Sequence, residues 1–271
     1  MDKPKNIHEY IEWAKATLYT DFSDPKCKRL YESNLRNLFN SVSEHNFFVN
    51  FGIHIQKWEQ EYNENTNSNL FTYATSPEML QKKYESALDK SFRINVIWNN
   101  NFPKEPKKGW VTTDNLFYYF NDLIRGTIVC RFIDGPKFVA QKLTEYAKIN
   151  GLACRQYSQE RDEGYYAYHF YVKLPVIITD RNWDASTTEL EIEIQITTQL
   201  QDVLRSLTHK FYEENRLRID NESTKWKWDF DSERFRVGYL SHTLHLIESI
   251  ILESRNKIIE NDLKPKKIEE G

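Results

Sequence analysis

The chain has 271 residues, of which 39% are hydrophobic and 28% are charged, and its formal net charge at pH 7 is −3. This composition is typical of a globular protein with one large domain or two small ones, and the slightly negative charge argues against binding of nucleic acid over the whole surface. No apolar run approaches the roughly 18 residues of a membrane span, the polar start predicts no signal peptide, and the cysteines form no C-x-x-C pair. We therefore expect a cytoplasmic protein that contacts no membrane.

The first third of the chain is predicted to be helical. Residues 6–62 carry apolar side chains at helical spacing, and a second helix is expected to begin near Asp24. The polar, unpatterned residues 59–68 predict a loop. A further helix is predicted over residues 76–92, because this segment opens with a serine that can cap it, a proline at the first helical position and then an acid.

The middle of the chain alternates between predicted strands and helices. A loop rich in proline and lysine at residues 100–110 leads to an aromatic helix or strand at 116–120 and an apolar strand at 128–132. An amphipathic helix follows at 138–151, closed by an Asn-Gly pair, and then a strand at 165–174. A mixed-sheet α/β or α+β domain with helices on both flanks is therefore expected.

Residues 190–196 have the clearest strand pattern. A leucine and three isoleucines alternate with Glu191, Glu193 and Gln195, which is the alternation of a strand with one buried face. Acidic side chains on the polar face recur about every 7 Å, and they repel one another unless water, a basic group or a cation compensates their charge. This face is therefore either solvated or part of a binding site.

Two more helices are predicted after this strand, and Thr198 is expected to cap the first of them. Their apolar stripes, which we expect to face the core, are Leu200, Val203, Leu204, Leu207 and Phe211 in the first helix and Phe235, Leu240, Leu244, Ile247 and Ile251 in the second. Packing is also favoured over partner or metal binding for the histidines and tryptophans of this region, which are His209, Trp226, Trp228, His242 and His245.

Two acidic residues at predicted strand ends suggest a nucleotide site. Asp122 stands at the mouth of an apolar strand, and Glu193 lies on the acidic face of residues 190–196. Mg²⁺ on a nucleotide is typically held by one or two carboxylates, with phosphate oxygens and water completing its shell, and a carboxylate can act as the base for an acceptor hydroxyl. Tyr165 and His169 share a strand face and could stack on a base and contact a phosphate. Aromatic packing on the sheet would explain both residues equally well.

Four segments of the chain, taken in order, form a pattern. Lys82, Ser86 and Lys90 recur at four-residue spacing, Asp122 precedes its strand, residues 164–169 read G-Y-Y-A-Y-H, and residues 192–198 read I-E-I-Q-I-T-T and lead into a helix. In order and spacing these segments resemble the synthetase domain of the RelA/SpoT family. Members of that family transfer pyrophosphate from ATP to a ribose 3′-hydroxyl.

The resemblance spans residues 76 to about 212 and implies an α+β fold, with a mixed-sheet, nucleotidyltransferase-like synthetase core flanked by helices. We accordingly predict an N-terminal helical segment at 1–75, the synthetase core at 76–215 and a C-terminal helical segment at 216–271 packed on that core. No His-Asp hydrolase pattern precedes the core, so the chain looks like a synthetase that does not degrade its own product.

The resemblance also implies a role for each matched residue. Asp122 and Glu193 would bind Mg²⁺ and act in catalysis, with Glu193 as the base for the 3′-hydroxyl. Tyr165 would stack on the acceptor base, and His169 would contact the acceptor phosphate or ribose. The full sets are Lys82, Ser86, Lys90, Arg125 and Arg131 for ATP, and Tyr165, His169 and Gln195 for the acceptor.

Four arginines of the family pattern are absent. Their positions are occupied by Leu80, Thr127, Tyr166 and Thr197. Because the planar fork of arginine is hard to replace in phosphate binding, these differences favour a different acceptor, a different way of binding it, or an inactive site.

The whole pattern is most similar to the toxic small alarmone synthetases of bacteria, some of which modify the 3′-terminal adenosine of tRNA. Residues 82–108 contain seven basic and three acidic residues, a net charge of +4 that suits either tRNA phosphates or ATP alone. We favour a toxin that transfers pyrophosphate from ATP to tRNA and so blocks translation. The alternatives are a (p)ppGpp- or (p)ppApp-type alarmone synthetase that uses free GDP, GTP or adenine nucleotides, and a catalytically inactive nucleotide-sensing module. A neutralising antitoxin and a homo-oligomer are the further partners that the resemblance implies.

Overall fold

Five strands form one mixed sheet in a computed structural model that describes residues 3–162, 164–216 and 226–263. The strands are β1 (Leu80–Gln81), β2 (Ile124–Cys130), β3 (Cys154–Glu160), β4 (Tyr166–Thr179) and β5 (Ala185–Thr198). The α-helices of the described residues are α1 (Ile7–Thr17), α2 (Pro25–Glu44), α3 (Asn46–Val49), α4 (Phe51–Thr66), α5 (Tyr84–Phe92), α6 (Leu116–Tyr119), α7 (Gly135–Ile149), α8 (Gln199–Arg216) and α9 (Glu233–Leu263). A π-helical turn, Arg93–Ile97, extends α5, and a 3₁₀ turn, Trp226–Trp228, precedes α9.

The order of strands in the sheet is β1-β2-β5-β4-β3. The central pair, β2 and β5, is parallel, and the other three pairs are antiparallel. The α+β class with a mixed sheet flanked by helices is therefore confirmed. Strand β3, which the sequence analysis did not predict, pairs with the first half of β4.

The apolar face of the sheet shares one core with the N-terminal helices. The isoleucines at 192, 194 and 196 are buried, as alternation along β5 requires, and α2 and α7 pack against β4. Tyr10 of α1, Leu38 of α2 and Phe51 of α4 belong to the same continuous cluster of buried residues. The predicted division of the chain at residues 75 and 215 stays a prediction.

Two predicted boundaries in the first third are wrong. Residues 59–68 were expected to be a loop, but α4 continues to Thr66 because Trp58 and Tyr62 extend its buried stripe into the polar segment. The helix expected at 76–92 begins only at Tyr84. Residues Leu80–Gln81 instead pair with β2. The edge of the sheet provides hydrogen-bond partners for the backbone of these two residues, and the local sequence does not predict this pairing.

The inward faces predicted for the last two helices also need correction. Thr198 does cap α8, accepting a bond from the Gln201 amide at 3.3 Å, but Val203 and Leu207 of the predicted stripe are 53% and 77% exposed. In α9 the buried positions include Val237 rather than the predicted stripe members Leu240, Ile247 and Ile251, which are exposed. The side chains of His209 and Phe211 lie outside the described residues.

Of the two connector tryptophans, only Trp226 packs as predicted. Its indole Nε1 donates to Asp162 at 3.0 Å, whereas Trp228 is exposed. None of the described helices has both the length and the apolar character needed to cross a bilayer.

Candidate active site

Polar residues of three adjacent strands project from the face of the sheet opposite its apolar core. Glu193 of β5 lies opposite Arg125 of β2 and Tyr171 of β4, and Gln195 of β5 lies opposite His169 of β4. Residues paired across strands project to the same side of a sheet. The strand register therefore brings the predicted residues Glu193, Gln195, His169 and Arg125 together on one face.

Glu193 is a buried carboxylate held by two donors. Its Oε1 accepts from His169 Nδ1 at 2.7 Å and from the Tyr171 hydroxyl at 2.7 Å. Burial by itself raises the pKa of Glu193, but the hydrogen bonds from His169 and Tyr171 outweigh burial and lower the pKa below its ordinary value. Glu193 is therefore ionised at neutral pH. Within the described part of the chain, both of its hydrogen bonds end on Oε1.

The second ring nitrogen of His169 connects Glu193 to Tyr165 and Arg161. The Tyr165 hydroxyl lies 3.3 Å from His169 Nε2. The Gln159 side chain is assigned the amide orientation in which both of its polar atoms have a hydrogen-bond partner. In that orientation its nitrogen donates to His169 Nε2 at 2.9 Å, and its oxygen accepts from the Arg161 guanidinium at 3.1 Å. In this arrangement His169 donates from Nδ1 to Glu193, and its Nε2 accepts from the Gln159 amide.

Asp122 lies between the two lysines of the predicted ATP site. Its carboxylate accepts from Lys82 Nζ at 2.9 Å and from Lys90 Nζ at 2.7 Å. Burial raises the pKa of Asp122, but the charges of Lys90 and Lys82 outweigh burial and hold the pKa at about 2. Burial also lowers the pKa of Lys82, and the charge of Lys90 adds to this effect against the attraction of Asp122.

The pairing of β1 with β2 accounts for this convergence. The Lys82 amide donates to the Leu123 carbonyl at 2.8 Å, so the lysine leaves β1 directly beside Asp122. Helix α5 starts two residues later and carries Lys90 to the other oxygen of the same carboxylate. The Phe120 ring lies 5.0 Å from Lys90 Nζ and covers it from one side.

Asp122 and Glu193 form a donor set that suits a hard cation. Asp122 lies just before β2, and Glu193 lies on β5, the parallel neighbour of β2. The two are near enough for the charge of Asp122 to raise the pKa of Glu193. Among the described residues, no group of three or more His, Cys, Asp or Glu side chains could hold a metal ion. Two carboxylates completed by nucleotide phosphates are nevertheless an arrangement that Mg²⁺ uses, so these residues fit the predicted ion.

The remaining predicted ATP residues are placed differently. Arg125 lies on the site face, opposite Glu193. Ser86 is exposed on α5. Arg131 follows the other end of β2, where its Nε donates to the Phe71 carbonyl at 3.0 Å. The structure therefore does not bring Arg131 to Asp122, because the length of β2 separates them. The roles that the resemblance assigned to these residues stay predictions.

Several residues at the site were missed by the sequence analysis. Tyr171 lies two residues after His169 and so on the same strand face, a spacing that could have revealed it. Arg205 of α8 donates from Nη1 to Gln195 Oε1 at 3.0 Å. No motif contains Arg205, because its position depends on the direction in which α8 leaves β5. Gln159 lies on the unpredicted strand β3.

Two of the positions that lack a family arginine are committed to packing. Tyr166 stacks on His245 of α9 with ring centroids 3.7 Å apart, and its hydroxyl lies 2.6 Å from His242 Nδ1. Thr197 is buried. The histidines at 242 and 245 therefore have the packing role that was predicted, and they hold Tyr166, the residue next to Tyr165.

Comparisons with known proteins bear on the fold. No family model matches the sequence, and no curated protein matches it significantly. The crystal structure of small alarmone synthetase 1 from Bacillus subtilis is similar at a TM-score of 0.56 and 16% identity, covering 85% of this chain and 98% of that one. Crystal structures of the same protein bound to its product pppGpp and to AMPCPP give TM-scores of 0.54 and 0.51, each at 15% identity, and each covers 85% of this chain. The matched region covers 99% of the pppGpp-bound chain and 98% of the AMPCPP-bound chain. The chain therefore has the fold of the small alarmone synthetases, as its resemblance to the RelA/SpoT family predicted.

Proposed function

We propose that this chain is an ATP-dependent pyrophosphokinase that transfers pyrophosphate from ATP to a ribose 3′-hydroxyl. One observation carries the proposal: Asp122, which accepts bonds from Lys82 and Lys90, lies at the start of β2, and the ionised Glu193 lies on the parallel neighbour β5. A cationic site for a polyphosphate and an available base are the two parts that the reaction needs.

On the donor side, the phosphates of ATP would compete with Asp122 for the two lysines. Phosphate oxygens accept charge-assisted hydrogen bonds from ammonium groups, so Lys82 and Lys90 would turn from Asp122 to the nucleotide. Asp122 and Glu193 would hold Mg²⁺, which when bound would neutralise negative charge on the transferred and leaving phosphates.

On the acceptor side, Glu193 would accept the proton of the 3′-hydroxyl. The 3′-oxygen forms a bond to the β-phosphorus of ATP, the bond from that phosphorus to the α,β-bridging oxygen breaks, and AMP leaves with the bridging oxygen. The bonds from His169 and Tyr171 fix the Glu193 carboxylate and end on Oε1, which supports Oε2 as the atom that receives the proton. Tyr165 would stack on the acceptor base.

The acceptor in this proposal is the 3′-terminal adenosine of tRNA. The supporting observation is the charge of residues 82–108, which contain seven basic and three acidic residues. In this segment the Arg93 guanidinium lies 5.1 Å from the ring of Trp98, which is 56% exposed. The exposed lysines of the segment are Lys83, Lys104, Lys107 and Lys108. Exposed positive charge beyond the two lysines at Asp122 suits a long polyanion better than a single nucleotide. Such an enzyme would act in the cytoplasm as a toxin, and a neutralising antitoxin would restrain it.

Free guanine nucleotides are the second candidate acceptors. The similar small alarmone synthetase 1 has been crystallised with its product pppGpp, which supports an alarmone synthetase reading of this chain. The same site residues would serve either acceptor, so only the acceptor assay distinguishes them.

The test is transfer of label from ATP carrying labelled γ-phosphate to bulk tRNA, GDP, GTP or ATP, with and without Mg²⁺. We expect label on tRNA, and we expect Glu193→Gln to reduce transfer at least about 100-fold with an unchanged circular dichroism spectrum. Glu191→Gln is the matched control, because Glu191 lies two residues earlier on the same strand face and pairs with Arg155 at 2.7 Å. Label on a free nucleotide would make the chain an alarmone synthetase. ATP binding without any transfer would contradict the proposal and identify an inactive nucleotide-sensing module.

A further inference from the structure

The turn between β3 and β4 carries Tyr165, the residue proposed to stack on the acceptor base. This turn contacts the first part of α9 and the 3₁₀ turn that precedes α9. We propose that Ser241, His242 and His245 of α9 are positioning residues for the acceptor, because they hold this turn with Tyr165 in place before the acceptor binds. This inference rests on the proposed function and deepens it.

His242 links the two ends of the turn. Its Nε2 lies 2.9 Å from the Asp162 carbonyl oxygen, and its Nδ1 lies 2.6 Å from the Tyr166 hydroxyl. Because a carbonyl oxygen can only accept, the imidazole donates from Nε2. One side chain of α9 therefore bonds the chain both before and after Tyr165.

Two further residues of α9 hold the turn next to Tyr165. His245 stacks on the Tyr166 ring, with ring centroids 3.7 Å apart and an angle of 6° between the planes. The Ser241 hydroxyl donates to the Gly164 carbonyl. A Cβ on Gly164 would lie 2.6 Å from the Cβ of Ser241, so α9 lies directly against this backbone.

The 3₁₀ turn before α9 holds Asp162 a second time. The carboxylate of Asp162 accepts from the indole Nε1 of Trp226 at 3.0 Å and from Lys227 Nζ at 2.5 Å. The hydrogen bonds from Lys227 and Trp226 lower the pKa of Asp162 below its ordinary value, so the carboxylate is ionised at neutral pH. The carbonyl and the side chain of Asp162 are therefore held by the same part of the chain.

Tyr165 is thereby fixed at its backbone and at its hydroxyl. The residues on either side of it are bonded to α9, and its hydroxyl lies 3.3 Å from His169 Nε2 on the site face. A stacking residue that is already ordered spares the acceptor the cost of ordering it. In this chain Tyr166, which stands where the family pattern has an arginine, fastens the turn to α9.

The ATP side of the site is held by other elements. Lys82, which follows β1, and Lys90 of α5 donate to Asp122, and neither bond involves α9. A substitution in α9 that loosens the turn should therefore weaken acceptor binding and leave ATP binding unchanged.

The experiment measures KM for acceptor and KM for ATP in Tyr166→Phe and His242→Ala, with whichever of deacylated tRNA and GDP the wild-type chain modifies. The first variant loses one hydrogen bond and the second loses two. The acceptor KM should rise about 2- to 10-fold in Tyr166→Phe and further in His242→Ala, with the ATP KM changed less than about twofold. Amide hydrogen exchange at Arg161 and Gly164, whose N–H groups donate to carbonyls within the turn, should become faster in both variants.

Two more variants test whether the Tyr166 hydroxyl acts through His242. His242→Gln should give an intermediate acceptor KM, because its amide keeps one donor and one acceptor. Combining Tyr166→Phe with His242→Ala should give the acceptor KM of His242→Ala alone. If the two effects multiply instead, the hydroxyl acts elsewhere and the role of His242 is overturned.

Tyr146→Phe is the matched control. Tyr146 of α7 also stacks on a histidine, His54 of α4, with ring centroids 3.9 Å apart, and its hydroxyl also makes one bond, to the Phe47 carbonyl at 2.9 Å. This pair has no bond to the turn between β3 and β4 among the contacts of the described residues given above, so its loss should change neither KM.

An unchanged acceptor KM in both Tyr166→Phe and His242→Ala would overturn the inference, even if amide exchange became faster, and so would equal increases in the two KM values. If Glu193→Gln abolishes transfer while the variants at 166 and 242 behave as wild type, only this inference fails. If the wild-type chain modifies no acceptor, the proposed function fails with it.

Discussion

Asp122→Asn is expected to destabilise the fold, because it leaves two ammonium groups facing one another without a counter-charge. Asp122 lies 2.9 Å from Lys82 Nζ and 2.7 Å from Lys90 Nζ, and the three side chains are 18%, 14% and 17% exposed, respectively. Solvent therefore screens this cluster far less than it screens a surface ion pair. Asparagine keeps the size of the side chain and removes its negative charge, so the variant isolates the electrostatic contribution.

The magnitude follows from the pKa of Asp122. Burial raises this pKa, but the charges of Lys90 and Lys82 outweigh burial and bring it from 3.8 to about 2. One pKa unit corresponds to about 1.4 kcal/mol, so the ionised carboxylate contributes about 2 kcal/mol to the free energy of unfolding. Because the folded-state pKa is lowered, this contribution is complete above about pH 4 and is lost as the pH falls towards about 2. The deficit of the variant should therefore be constant from about pH 5 to 8.

Urea denaturation followed by circular dichroism measures this free energy directly. Asp114→Asn is the matched control, because Asp114 is also ion-paired, with Arg181 at 2.5 Å, but its side chain is 62% exposed. The control should lose less than about 1 kcal/mol. If Asp122→Asn loses no more than Asp114→Asn, the two lysines do not outweigh the burial of Asp122 and the reasoning is refuted.

Two further substitutions test the acceptor side of the site. Tyr171→Phe removes one of the two bonds that lower the pKa of Glu193, so the acidic limb of the kcat/KM pH profile should move to higher pH. A limb that does not move would contradict the assignment of Glu193 as base. Gly164→Ala places a Cβ 2.6 Å from the Cβ of Ser241 at a φ of +89°. It should lower Tm more than Gly151→Ala, where φ is +67° and no atom lies within 4 Å of the added Cβ, because overpacking adds about 1–3 kcal/mol to the backbone strain. Equal decreases in Tm would refute the close approach of α9 to Gly164.

The polar face of the site could be predicted from single strands. Alternation along residues 190–196 assigns Glu193 and Gln195 to the polar face, and the same parity puts Tyr165 and His169 on one face of the neighbouring strand. Such assignments need no knowledge of the fold, because the direction of a side chain in a strand depends only on whether its position is odd or even.

Boundaries and buried faces were predicted less well where other elements compete with local pattern. The serine cap and proline near residue 76 predicted a helix. Instead, Leu80–Gln81 pair with β2, and the helix begins only at Tyr84. In α9 the apolar residues surround the whole helix, so their spacing did not reveal that Val237 and Ser241 would be among the buried positions. A pattern on one helix cannot specify which of several apolar faces meets the sheet.

By itself, the sequence determined the strand at 190–196 and the residues that share its polar face, since each depends on local periodicity. Periodicity left α/β and α+β open, and the α+β class followed from the resemblance to the RelA/SpoT synthetase domain. Only the tertiary structure decided that Lys82 and Lys90 meet on Asp122, because β1 must first pair with β2. It also separated Arg131 from the site and brought Arg205 to Gln195. The physical reason is that long-range pairing and packing set the strand register and the direction of the following helix. The pattern of a short segment therefore cannot predict either of these features.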